Sequence, residues 1–154
     1  MTYWETPIPK IRILMIFGIA TVMTVLAEFF YFTVWGLWFF PDGSLVSKAV
    51  WSLICGVVMG IAIGTGTLLL VEGNSIERRA IFLAATIMSV VGIGCAILCS
   101  QIDQHFNYFG GREHPMMFIL SGTVPALAGG FLYGWLLYSS EFLTWIGIRP
   151  HHSK

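Results

Sequence analysis

Charge is what this sequence has least of. Lysine, arginine, aspartate and glutamate make up only 10% of its 154 residues, where a water-soluble domain carries about 25%. The basic and acidic residues cancel, so no basic surface for nucleic acid is implied. Cysteine is also scarce. Cys55, Cys95 and Cys99 all fall in apolar stretches, which excludes a disulfide framework of the secreted kind. Cys95 and Cys99 share one helix face four residues apart, and their near-parallel Cβ directions are poor geometry for a bridge. The expectation is small packing residues. There is no glycine-rich phosphate loop, nucleophile elbow or zinc signature, and no histidine inside an apolar run that would ligate haem. Met1–Lys10 lacks the basic start and short apolar core of a secretion signal, so the first apolar run is expected to be a retained span.

Hydrophobic sequence is what remains, at 56% of the chain. It falls into four runs, Ile13–Phe40, Val50–Val71, Ala80–Ser100 and Met116–Tyr138. A helix needs about 20 apolar residues to cross a bilayer core, and each run is long enough. The reading is an all-α integral membrane protein in which residues 1–154 form a single domain, a bundle of four transmembrane helices. Lys10, Arg12, Arg78, Arg79, Arg149 and Lys154 then lie on one side, with only Lys48 and Arg112 opposite. The positive-inside rule places both termini in the cytoplasm, with the protein in an inner or plasma membrane. Pro41–Lys48 reads as a turn, Ser75 as a helix cap, and Gln101–Pro115 as a polar outer loop. Glu141–Ile148, apolar with a tryptophan, is expected to lie in the cytoplasmic interface.

Small residues recur at helical spacing. The second run carries Gly56, Gly60 and Gly64; the fourth carries Gly122, Ala126, Gly130 and Gly134. Lipid gives helices no hydrophobic reason to associate, so such stripes are expected to be packing faces. A third stripe runs along Ala80–Ser100, and the surplus suggests contacts with other chains. Pro125, within the fourth run, removes a backbone donor and is expected to free the Ser121 carbonyl.

Two groups of residues carry candidate chemistry. Glu28 lies inside the first run, on a face shared with Thr24 and, one turn on, Tyr31. A carboxylate at that depth is costly unless it is protonated, hydrogen-bonded, water-facing or paired with another chain. Proton relay, cation binding, cofactor contact and an interhelical hydrogen bond all fit it. In the outer loop, Asp103, His105, His114 and Met116 offer carboxylate, imidazole and thioether donors compatible with copper or another metal, although their spacing matches no defined site. No other cofactor is expected.

The leading expectation is an accessory or structural subunit of a larger membrane complex, of the bioenergetic or membrane-oxidoreductase (monooxygenase-type) class. Its partners would be other membrane subunits and lipids, and it would not be catalytic by itself. The alternative is a small homo-oligomeric channel or transporter with Glu28 lining the pathway.

Overall fold

The computed structural model describes residues 10–35, 44–73, 76–106 and 115–147, and gives the backbone alone at Val34, Trp35, Asp103, Pro115, Met117, Phe118 and Ser121. Every regular element among them is helical. α1 runs Lys10–Phe30 and passes directly into a π-helical turn, Tyr31–Trp35. α2 is Leu45–Leu70, α3 is Glu77–Phe106, α4 is Pro115–Tyr138 and α5 is the short Ser140–Trp145. Three segments, Lys10–Thr33, Leu45–Leu70 and Glu77–Phe106, are long and apolar enough to cross a membrane.

Several boundaries differ from the expected ones. α2 begins before Val50 because Ser44 caps it, its hydroxyl oxygen accepting from the Ser47 amide at 3.1 Å. Lys48 thereby enters the first helical turn and is buried. α3 continues past Ser100 to Phe106, so the start of the expected outer loop is helix. Its polar residues Gln101, Gln104 and His105 follow the apolar stretch without any Gly or Pro to stop it. α4 ends at Tyr138, and Ser139 caps a separate helix with its own side chain, so the terminal apolar segment starts afresh. Pro125 sits inside α4, which runs through it unbroken. Ser75 in the second connection, and residues 36–43 and 107–114 of the first and third, lie outside the described residues.

The bundle is built as two close pairs, α1 with α2 and α3 with α4, joined by lighter contacts between α2 and α3 and between α1 and α4. Glycine makes each pair possible. A Cβ on Gly56 would stand 2.5 Å from Val25 Cα, and one on Gly64 would stand 2.5 Å from the Phe17 ring. Gly60 lies equally tight against Thr21. In the other pair a Cβ on Gly130 would meet the Ala85 carbonyl oxygen at 2.6 Å, one on Gly122 would meet Ala96 Cβ at 2.9 Å, and Gly134 abuts the Ile81 carbonyl. Ala126 in turn seats against Gly92. The stripes of the second and fourth runs are therefore filled from within the chain.

Hydroxyls reinforce the seams. Thr24 donates toward the Gly56 carbonyl at 2.6 Å, and Ser89 reaches the Ala126 carbonyl at 3.3 Å. The Tyr133 hydroxyl donates to Thr67 at 3.0 Å, linking α4 to α2. A core of Ile16, Ala20, Met59, Ile63, Ala84, Met88, Tyr133 and Leu137 fills the space between the pairs. Large apolar side chains such as Val22, Leu26, Leu53, Val58, Phe82, Val90 and Phe131 point outward, as a surface facing hydrocarbon requires.

At the end holding the start of α1, a polar network closes the bundle. Arg12 Nε donates to Glu72 at 3.0 Å, and its Nη1 donates to the Leu137 carbonyl at 2.8 Å. The Tyr138 hydroxyl donates to the other Glu72 oxygen at 2.9 Å, and the Arg12 guanidinium lies 4.8 Å from the Tyr138 ring centre. Gly73, at φ 99°, lets the chain turn just after Glu72.

Candidate functional site

Glu28 faces a cavity of about 40 Å³ between the two helix pairs, room for about three or four waters at roughly 10–15 Å³ each. α1 supplies Thr24, Glu28 and Tyr31 to its wall; α2 supplies Met59; α3 supplies Met88, Gly92, Cys95 and Cys99; α4 supplies Gly122 and Pro125. Gly92 and Gly122 line this volume where their missing Cβ atoms admit Ala126 and Ala96 across the seam. Glu28 has no hydrogen bond or ion pair with any described residue.

The helical register explains the wall of α1. Thr24, Ala27, Glu28, Tyr31 and Phe32 follow the three-and-four spacing of one helix face. The π-turn begins at Tyr31, and both Tyr31 and its neighbour Phe32 are buried, their rings meeting edge to face at 5.5 Å. Such widened turns are frequent at functional sites. Here the turn brings two consecutive aromatic side chains into the protein at the end of the cavity away from the start of α1.

Of the residues expected to act together, the structure joins Thr24, Glu28 and Tyr31 in one wall. Thr24 is engaged in holding α1 to α2, and it also lies 2.8 Å from the Ala20 carbonyl. Gly56, Gly60, Gly64, Gly130 and Gly134 serve helix contact, whereas Gly122 and Ala126 serve both contact and cavity wall. Of the four expected metal candidates, His105 and Met116 have described side chains. His105 is exposed on the last turn of α3, edge-on to Phe106 at 4.8 Å, and Met116 is exposed on the first turn of α4. His114 and the Asp103 side chain lie outside the described residues.

Sequence reasoning missed the cysteine cluster. Cys55 of α2 and Cys95 and Cys99 of α3 bring their sulfurs within 4.8 Å of one another, with 3.9 Å between Cys95 and Cys99. Tyr31, Phe32 and Trp51 pack over them. Depth along the helices was the signal that could have found the group. At 1.5 Å per residue, Glu28 stands about 27 Å from the start of α1, Cys55 about 23 Å from the end of α2, and Cys95 about 27 Å from the start of α3. Up-and-down helices put those three positions at one level.

Comparison with family models, curated proteins and solved structures returned no match.

Proposed function

We propose that this chain is a small integral membrane protein that crosses the bilayer four times, both termini cytoplasmic, and binds a small cation or proton at Glu28 along a pathway shared between copies. The observation that carries this reading is a carboxylate facing a cavity deep in the bundle, with no partner among the described residues. An ionisable group inside a membrane is costly and marks ion or proton paths more often than it marks packing. A cavity of about 40 Å³ is too small to be a path by itself, so a second copy is needed to complete one. The fourth crossing rests on α4, 24 residues long and packed along α3. The orientation rests on the distribution of lysine and arginine.

The accessory-subunit reading has weaker support than the sequence suggested. Its positive argument was surplus packing faces, and the glycine stripes of α2 and α4 are occupied by α1 and α3. Scarcity of catalytic groups still favours it.

Reconstitution decides between them. The purified chain in liposomes is expected to pass protons or a monovalent or divalent cation, and Glu28→Gln to abolish the flux. Unchanged flux in Glu28→Gln, or none in the wild type, overturns the transport reading. Native mass measurement showing several different polypeptides would favour the subunit instead.

A further inference from the structure

The three thiols are not required for the seams. The seams are glycine, alanine and hydroxyl contacts, while Cys55, Cys95 and Cys99 converge from two helices beside the cavity. We propose that Cys55, Cys95 and Cys99 form a three-sulfur site for one thiophilic d10 metal ion, Cu(I) or Zn(II), inside the membrane.

The distances fit. A metal–sulfur bond is about 2.3 Å, so three sulfurs around one ion in a plane stand about 4.0 Å apart. Cys95 and Cys99 already stand 3.9 Å apart. All three lie within 4.8 Å, so closing on an ion takes side-chain movements of under about 1 Å and no helix shift. The same i, i+4 spacing that disfavours a bridge between Cys95 and Cys99 suits two ligands of a common ion.

The surroundings are soft as well. Met59 and Met88 add thioethers to the cavity wall beside Cys95 and Cys99. Thiolate and thioether donors select Cu(I) and zinc, whereas calcium and magnesium take six or more oxygen ligands, more than the side chains of Thr24, Glu28 and Tyr31 offer in this wall. Tyr31 and Phe32 cover the cluster on one side.

Charge ranks the two ions. Each thiolate–metal bond forms as an S–H proton leaves, and no electron is transferred; the thiolate, not the thiol, is the ligand, so three protons leave as one ion enters. The centre then carries one net negative charge with Zn(II) and two with Cu(I), in an apolar region whose wall includes no lysine or arginine, which favours Zn(II). Zinc prefers four ligands, and Glu28 shares the cavity with Cys95 and Cys99, so the carbonyl oxygen of its protonated carboxyl, which adds no further charge, is the candidate fourth donor for Zn(II). Cu(I) is complete with three sulfurs. The inference rests on the cavity being a binding site, but its test involves no flux, so the two readings fail separately.

The experiment uses the full chain, reduced and metal-free in detergent micelles. Cu(I) and Zn(II) are titrated separately against chromophoric chelators. The expected result is one ion per chain, release of three protons per ion, and protection of all three thiols from alkylation. X-ray absorption should find three sulfurs at about 2.3 Å. Cys55→Ser and Cys99→Ser should each weaken binding more than roughly 100-fold, beyond what loss of an outer-shell group does, with helix content and elution unchanged. A fall in Glu28→Ala for Zn(II) supports the zinc form; tight Cu(I) binding indifferent to that change supports the copper form. Substoichiometric uptake, two or fewer sulfurs around the ion, or equal affinity in the triple serine variant overturns the site. Thiol protection in the wild type needs no variant, so misfolding of a mutant cannot rescue or sink the conclusion.

Discussion

Adding one methyl group to a glycine should have opposite effects at two positions of α3 and α4, and the sign tests how the bundle is held together. Gly130 is pressed against α3: a Cβ there would stand 2.6 Å from the Ala85 carbonyl oxygen and 2.7 Å from Ser89 Oγ. Gly94 is a helical glycine with nothing within 4 Å of the same atom. At Gly94, alanine relieves the conformational cost of glycine in a helix, a gain of up to about 1 kcal/mol. At Gly130 the same gain is opposed by overlap with backbone, which cannot swing aside as a side-chain tip can. Ordinary contact begins near 3.4 Å, so the helices must part locally by nearly 1 Å. A gap of that size forfeits a quarter to a half of each van der Waals contact along the seam, and overpacking of this kind costs about 1–3 kcal/mol. The helix-propensity gain is common to both, so the difference between Gly130→Ala and Gly94→Ala should be the overpacking cost, roughly 1–3 kcal/mol. It is measured as the shift in unfolding midpoint when the protein in mild detergent is titrated with a denaturing one. Gly56→Ala, facing Val25 Cα at 2.5 Å, and Gly18→Ala, facing open space, repeat the comparison in α2 and α1. If all four variants unfold together, the helix pairs do not meet along these glycines and the seam argument fails.

Other expectations follow from the polar contacts. Glu72→Gln keeps the shape of the acceptor but removes the charge that Arg12 and Tyr138 meet; it should cost about 1.5–3 kcal/mol, read from the same detergent titration. A double-mutant cycle of Glu72→Gln with Arg12→Met should show coupling of at least about 0.5 kcal/mol, and strict additivity would dissolve the network. Tyr133→Phe leaves the buried Thr67 hydroxyl without its donor and should cost about 1 kcal/mol; no change in midpoint would mean water replaces it. Tyr31→Ala, which opens the cover of the thiol cluster, should speed alkylation of Cys99 in the metal-free chain. An unchanged rate would show that this ring does not shield the sulfur.

How far the sequence reveals this molecule depends on which distances a one-dimensional pattern carries. Periodicity runs along a helix, so it exposed the apolar segments, the glycine stripes and the shared face of Thr24, Glu28 and Tyr31. It also tied Cys95 to Cys99. It could not say which stripe meets which helix, because the second stripe of a pair need not be small. Gly56, Gly60 and Gly64 seat against Val25, Thr21 and Phe17, residues with no small-residue signature. The same gap left part of the stripes assigned to contacts with other chains, whereas those of α2 and α4 are filled from within. The helix ends were hard to place for a related reason. Gln101, Gln104 and His105 are polar, and polarity was read as loop, yet an exposed last turn is polar whether or not it is helical.

Cys55 belongs to a different class of hidden information. Nothing local distinguishes it from a packing residue of α2. Its meaning comes from its level in the bundle, where the first turns of α2 face the later turns of α3 and the widened turn after Glu28. Two constraints fix that level together. The glycine seam sets how α2 slides against α1, and the Arg12–Glu72–Tyr138 cluster pins the start of α1 and the ends of α2 and α4 to one another. Slipping α2 by one helical turn would move Cys55 about 5.4 Å along the axis, farther than the 4.8 Å that now separates the most distant pair of the three sulfurs. It would also place Ser52 against Val25, or Leu68 against Phe17, where glycine now sits. The register that keeps the seam closed is thus the register that assembles the thiols, and a variant that loosens the seam, such as Gly56→Ala, should weaken metal uptake together with stability although it touches no sulfur.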